Sequence, residues 1–166
     1  FNTIGKEGSW KGSRPGTRMG AAALLRKKLR ETKAKLKNKE NLSPEEEVFA
    51  SLLRRQEILR VHVHKTDDIM SLLRFVDEFD LKVSVEHSSN VHDTDTYKEL
   101  RKRNIPVVYG PLDSLGYKVE LKHDHPDNIR NLLESGVQYG LMTDHPVIVQ
   151  KNLRFTLRWF TKAGLT

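Results

Sequence analysis

From residue 58 onward, short apolar runs alternate with amphipathic stretches in this sequence. Four runs have the length and the β-branched or aromatic content of buried strands: 58–63, 81–86, 105–109 and 137–142. Each is followed by a helical pattern: 66–79, 94–103, 126–135 and 147–163. Consecutive strand–helix units form parallel sheets with right-handed crossovers. The sequence therefore predicts an α/β fold with about four parallel strands and flanking helices.

Three of these runs carry side chains that can bind a metal at their ends or one to two residues beyond: His62 and His64, His87, and Asp144. The carboxyl ends of parallel strands open onto one face of a sheet or barrel, so these side chains are expected to converge. Taken singly, each histidine could be hydrogen-bonded within a strand, and Asp144 could cap a helix. Their equivalent positions in successive units favour a hydrolytic metal site instead, because burial without partners is costly.

The composition limits the chemistry of such a site. The chain has no cysteine, so a metal must be held by His, Asp or Glu. No apolar run approaches the roughly 18 residues of a membrane span. The start, Phe1-Asn-Thr-Ile, has neither the basic lead nor the apolar stretch of a signal peptide, and we predict a cytoplasmic protein without membrane contact.

Other polar residues near the predicted strand ends admit more than one role. We assign Tyr109, His64 and His145 to substrate contact or to support of the metal ligands, with loop packing as the alternative for His145. The loop over 110–125 either shapes the substrate site or only connects two elements. Three further histidines are interpreted as solvated or capping residues, with a second metal cluster as the alternative: His92, His123 and His125.

Residues 1–56 form a basic lead segment, predicted as an entry loop over 1–16 and two helices. Thr17 can cap the first helix, and Ser43-Pro44-Glu45-Glu46 has the pattern of a capping box that starts the second. Residues 26–39 hold eight Lys or Arg and one Glu, which raises nucleic-acid binding as an alternative function. We favour a solvated helix face, since no aromatic residues interleave for base stacking.

The sequence resembles the amidohydrolase superfamily, specifically its imidazolonepropionase-like branch. The resemblance is carried by segments in order along nearly the whole chain: residues 16–26, Arg60-Val-His-Val-His64, Val85-Glu-His87, Val108-Tyr-Gly-Pro111 and Met142-Thr-Asp-His-Pro146. These segments are similar to the lead-in and strands five to eight of a (β/α)8 TIM barrel. Residues 57–166 would then form a four-strand fragment of that barrel.

The resemblance implies roles for individual residues. His62 and His87 match metal ligands, and Asp144 matches an aspartate that binds metal and acts as general base toward water. His64 matches a position that varies among members. The implied cofactor is a divalent metal, with zinc favoured and iron or manganese as alternatives. The implied reaction is hydrolysis of a C–N bond by metal-activated water, with a small cyclic amide as the expected substrate.

The departures from the family pattern bear on activity. The first-strand His-x-His pair has no counterpart here, and Ser88-Ser89 follows His87 where the family usually has glycine. The first residue is not methionine, so we expect a carboxyl-terminal half-barrel that is inactive by itself. Its open sheet edges are expected to pair with the missing half or with a second copy. A prolidase-like or deaminase-like member of the superfamily is the enzymatic alternative.

Overall fold

The computed structural model describes Pro15, residues 17–112 and residues 119–165. Its helices and strands follow the chain in this order: α1 (Arg18–Asn38), α2 (Pro44–Leu53), β1 (Leu59–Val63), α3 (Thr66–Phe79), β2 (Val83–His87), α4 (Thr94–Lys102), β3 (Val107–Tyr109), α5 (Asn128–Ser135), β4 (Tyr139–Leu141) and α6 (Leu153–Ala163). The predicted entry loop over 1–16 lies almost entirely outside the described residues, as does the 113–118 part of the predicted 110–125 loop.

The four strands form one sheet in the order β1-β2-β3-β4. The pairings of β2 with β3 and of β3 with β4 are parallel, and their registers place His87, Tyr109 and Leu141 at the same level. Parallel neighbours in sequence order require a crossover after each strand, which α3, α4 and α5 provide. The predicted α/β fold with four parallel strands and flanking helices is confirmed.

The chain divides into two compact units. The first contains the residues up to His62 together with Leu72–Val83, and the second contains Val63–Ser71 together with the chain from Ser84 onward. The predicted division between residues 56 and 57 stays a prediction. In the described part of the chain, no helix combines the length and apolar character needed to cross a bilayer.

In the first unit, both predicted helix starts are confirmed by their caps. The Thr17 hydroxyl accepts a hydrogen bond from the Gly20 N–H at 3.0 Å. At α2, the Glu46 N–H donates to the Ser43 hydroxyl, and the Ser43 N–H donates to the Glu46 carboxylate at 2.8 Å. These reciprocal bonds satisfy backbone donors that a helix start otherwise leaves without partners.

In the second unit, strand residues of one face are packed into the core. Val85 and Val107 are fully buried in neighbouring strands, as is Tyr109. The helices after them supply apolar side chains that are also fully buried: Tyr97, Leu100, Ile129, Leu132 and Phe160. The carboxyl ends of the strands are thereby fixed relative to one another, and those ends carry the candidate site.

The last helix begins later than the sequence pattern predicts. The predicted start at residue 147 is wrong, because α6 begins at Leu153 after a 3₁₀ turn over Gln150–Asn152. Residues 143–148 fold into a turn instead, in which the Ile148 N–H bonds the Thr143 carbonyl at 3.2 Å. Val147 is 56% exposed, so it does not extend the buried face of the helix.

Candidate metal centre

Two imidazole rings lie together at the carboxyl ends of β1 and β2. His64 follows β1 directly, and His87 is the last residue of β2. Their ring centroids are 4.7 Å apart with an interplanar angle of 34°. Both side chains are buried, with 5% and 4% of their surface exposed. The two buried imidazoles are therefore direct neighbours.

The His87 ring is oriented by the backbone of the next strand. Its Nδ1 lies 2.8 Å from the Gly110 carbonyl oxygen, just after β3. A carbonyl can only accept, so Nδ1 carries the proton in the neutral ring and Nε2 carries the lone pair. This is the arrangement in which metal-binding histidines are usually held, with one nitrogen fixed by an outer partner.

The His64 ring has a similar outer partner. Its Nδ1 lies 2.9 Å from the hydroxyl of Ser89, which is itself buried. The same loop also binds the main chain of β1 at two points, through the Ser88 N–H to the Val63 carbonyl and the Asn90 N–H to the His64 carbonyl. The loop after β2 therefore fixes both the backbone and the ring of His64.

The last residue of β2 and the residue after it have left-handed backbone. His87 has φ 80° and Ser88 has φ 56°, values that are uncommon for residues other than glycine. In a regular strand, His87 would project from the same face as Val85, which is fully buried. The left-handed turn therefore lies directly at the residue whose ring contacts His64. Backbone strain of this kind costs roughly 1–3 kcal/mol per residue and is concentrated at functional sites.

His62 brings a third imidazole to this group. His62, His64 and His87 can offer one ring nitrogen each, and these nitrogens all lie within 4.8 Å of one another. Ligand nitrogens on a tetrahedral zinc ion, at about 2.0–2.1 Å from the metal, are about 3.3 Å apart. The three rings could hold one divalent ion if their nitrogens moved closer together, and imidazole ligands suit zinc and iron among other metals.

The remaining residues predicted for the site have different surroundings. Asp144 lies on the turn after β4 with φ 50° and an exposed side chain. Among the described residues, the compact group of possible metal ligands consists of the three histidines and does not include Asp144. His145 is also exposed. β4 is at the opposite edge of the sheet order from β1. Roles for Asp144 and His145 as ligand, base or substrate contact stay predictions.

Tyr109 is fully buried rather than open to the strand ends. Its ring packs edge-to-face against Phe160 of α6, with centroids 6.0 Å apart. Its hydroxyl has no hydrogen-bond partner in the described part of the chain, and burial raises the pKa of Tyr109 well above its ordinary value. The predicted role of Tyr109 at the substrate stays a prediction.

Two parts of the centre are not predictable from the residue types that bind metals. Ser89 and the Gly110 carbonyl support His64 and His87, and in the sequence only the unusual Ser88-Ser89 pair and the Gly110-Pro111 turn mark these loops. Gly110 has φ 131°, and a Cβ there would clash with the Met142 carbonyl oxygen. Glycine is therefore required where β3 ends beside β4.

A carboxyl group with altered acidity lies in the loop before α5. Burial raises the pKa of Asp124 from 3.8 to about 6, with a small opposing effect of nearby His125. A carboxyl with this pKa can exchange a proton near neutral pH. The sequence pattern marks Asp124 only as a neighbour of loop histidines.

The fold is a parallel α/β sheet, and the histidines at its strand ends could hold a metal ion. Among solved structures, the chain is similar to an amidohydrolase from Thermotoga maritima, with 31% sequence identity and a TM-score of 0.81. The similarity covers 92% of this chain and 42% of that one. Comparison with family models and with curated proteins finds no match.

This neighbour supports the resemblance at the level of the amidohydrolase superfamily. It does not distinguish the imidazolonepropionase-like branch. The chain spans less than half the length of the neighbour.

Proposed function

We propose that the chain is part of a metal-dependent amidohydrolase that hydrolyses a C–N bond in a small cyclic amide, as imidazolonepropionase does. The observation that carries this proposal is the three-imidazole group of His62, His64 and His87 at the strand ends. The 31% identity to a Thermotoga amidohydrolase over most of this chain supports the same class of reaction.

In this proposal, the chain's own residues hold the metal and move the proton. His87 presents Nε2 because its Nδ1–H donates a hydrogen bond to the Gly110 carbonyl oxygen. His64 is held by Ser89 and joins His87 and His62 around one divalent ion, with zinc proposed. A divalent ion bound there would lower the pKa of water and polarise the scissile carbonyl.

Asp144 is proposed as the group that accepts the proton from the attacking water and passes it to the leaving nitrogen. An exposed carboxylate on a turn can transfer this proton only when the turn lies against the substrate. The proposal therefore places the complete catalytic arrangement in a larger assembly, in which the open β4 edge pairs with the remaining part of a barrel or with a second copy.

Metal content is the first test of this function. Purified chain incubated with Zn²⁺ and desalted should retain zinc, and His87→Ala should lose most of it, because one buried ligand is removed. Metal binding should also raise the unfolding free energy of the wild type, by about 2.7 kcal/mol at 100-fold excess over Kd. Adding EDTA should reverse that gain.

His125→Ala is the matched control. His125 is exposed and pairs with Asp127 at 3.3 Å, so its loss should leave zinc at the His87 centre unchanged. Equal zinc content in the wild type and His87→Ala, together with equal stabilisation, would remove the proposed centre.

The reaction class needs a separate assay. The chain should be co-expressed with the part of the Thermotoga amidohydrolase that it does not cover, and cyclic-amide hydrolysis followed by absorbance. We expect zinc-dependent turnover with wild type, none with His87→Ala, and none for the chain alone. Turnover by the chain alone at the same rate in His87→Ala would contradict the proposal.

The nucleic-acid alternative receives no support from the charges of α1. Arg26 and Arg30 both bind the Glu78 carboxylate, and the hydrogen bond from Arg26 contributes most to holding the pKa of Glu78 below its ordinary value. Two lysines of the helix pair with α2, Lys28 with Glu45 and Lys35 with Glu46. The basic run thus serves contacts within the first unit.

A further inference from the structure

A second pair of histidines meets in the loops beyond β2 and before α5. The rings of His92 and His123 have centroids 4.9 Å apart and an interplanar angle of 45°. Both side chains are exposed. The ring arrangement is close to that of His64 and His87, whose centroids are 4.7 Å apart at 34°.

Buried asparagines hold the two loops together. The side-chain oxygen of Asn90 accepts the His123 N–H at 2.5 Å, and the Asn90 carbonyl accepts from His92 Nδ1 at 3.2 Å. Asn128 donates from its side-chain nitrogen to the carbonyls of His123, at 2.6 Å, and Ser89, at 3.1 Å. The backbone that carries the histidine pair is therefore fixed before any ligand arrives.

The ring geometry suits one metal ion. Two imidazole nitrogens at about 2.0–2.1 Å from an ion, subtending about 90–110°, put the ring centroids about 4.5–5.2 Å apart. The observed 4.9 Å lies in that interval. Because Nδ1 of His92 donates to a carbonyl, the neutral His92 ring carries its lone pair on Nε2.

We propose that His92 and His123 form a second metal site, which binds a first-row divalent ion such as zinc through two imidazole nitrogens and water. The site is separate from the three-histidine centre and does not depend on the proposed hydrolase activity. Its two protein ligands are fewer than the three of the other centre, and it binds zinc more weakly.

Zinc titration of the full chain tests this site. Calorimetry with ZnCl2, checked by elemental analysis after ultrafiltration, should give two equivalents for the wild type and one for His123→Ala. The substitution keeps the frame, because the main chain of His123 makes the bonds to Asn90 and Asn128. His92→Gln is a second variant that should lose the same equivalent, and circular dichroism checks that both variants fold.

Two further variants separate this site from the proposed catalytic centre. His125→Ala should bind as many equivalents of zinc as the wild type. His87→Ala should lose the equivalent that binds more tightly, at the three-histidine centre. If the three-histidine centre does not bind zinc and the second site does, the wild type should bind one equivalent of zinc. That equivalent should remain in His87→Ala and be lost in His123→Ala. A zinc stoichiometry that stays unchanged in both His123→Ala and His92→Gln would overturn the second site.

Discussion

The Nδ1–H of His87 donates to the carbonyl oxygen of Gly110 at 2.8 Å, which links the candidate ligand at the end of β2 to the backbone at the end of β3. Gly110 itself lies against β4, where a Cβ would clash with the Met142 carbonyl oxygen. The orientation of the imidazole therefore depends on close backbone packing one strand away.

Replacing Gly110 with alanine should disturb both stability and metal binding. The φ of 131° and the contact with Met142 are incompatible with a side chain, so we expect the unfolding free energy to fall by about 2–5 kcal/mol. Metal affinity should fall as the His87 ring loses its partner. Urea denaturation and zinc titration measure the two effects. Gly140→Ala is the control, since a Cβ at that position would meet no atom within 4 Å, and it should change stability little.

Ser89→Ala should weaken the proposed metal centre without unfolding the chain. The lost hydroxyl orients His64, and loss of such outer partners typically lowers metal affinity about 10- to 100-fold. Stability without metal should fall by about 1 kcal/mol. Ser135→Ala removes another buried hydroxyl, which donates to the Leu132 carbonyl at 2.6 Å, and should destabilise the chain with zinc affinity unchanged. Equal zinc affinity in Ser89→Ala and wild type would argue against this role.

Tyr97 and Tyr109, both buried, should respond oppositely to loss of their hydroxyls. Tyr109→Phe removes a hydroxyl without a hydrogen-bond partner among the described residues, and we expect the unfolding free energy to rise by about 0.5–1 kcal/mol. Tyr97→Phe removes a donor to the Ser88 carbonyl at 3.1 Å, and should cost about 1 kcal/mol. Urea denaturation of both variants and the wild type in the same buffer measures these changes in unfolding free energy. A loss of stability in Tyr109→Phe would mean that its hydroxyl has a partner in solution.

Asp124 should make the chain less stable as the pH rises. Its folded pKa of about 6 exceeds the ordinary 3.8, so the folded state holds this proton more tightly than the unfolded state. The resulting stabilisation is complete below about pH 4 and is lost as the pH rises to 6. Asp124→Asn should therefore be more stable than wild type at pH 7.5, by about 1 kcal/mol after allowance for solvent screening.

Urea denaturation at pH 4, 5 and 7.5 measures this difference, and the advantage of Asp124→Asn should shrink steadily toward pH 4. Asp95→Asn is the matched control, because Asp95 is exposed on α4 and pairs with Lys98 at 3.0 Å. An advantage of Asp124→Asn that is independent of pH would show that burial of the charge is not its cause.

The parts of the fold that local patterns determine are predictable from the sequence. The caps at Thr17 and Ser43 use short-range hydrogen bonds, and the predicted bounds of α3 coincide with the observed Thr66–Phe79 because its apolar residues recur at helical spacing. The start of α6 is not predictable in this way, since Val147 and Val149 continue the apolar pattern without being buried. Only tertiary packing distinguishes these exposed apolar residues from the buried apolar residues of a helix.

Within the candidate site, the sequence indicates which strands carry the candidate ligands, but it does not indicate how the imidazole rings meet. The convergence of His62 and His87 follows from parallel strands, and their proximity agrees with that expectation. The hydrogen bond between His64 and Ser89 and the left-handed turn after β2 are not predictable from the types of these residues. Glycine would have signalled such a turn, and this sequence has serine there.

That turn also limits how the sequence can vary. With φ of 80° at His87 and 56° at Ser88, both positions accept glycine, asparagine or aspartate at small conformational cost, and penalise valine, isoleucine or threonine whatever their polarity. A substitution at either position is therefore constrained by backbone conformation as well as by side-chain chemistry. If residue 87 is to keep a group that can bind metal, aspartate combines a carboxylate with tolerance of this backbone conformation.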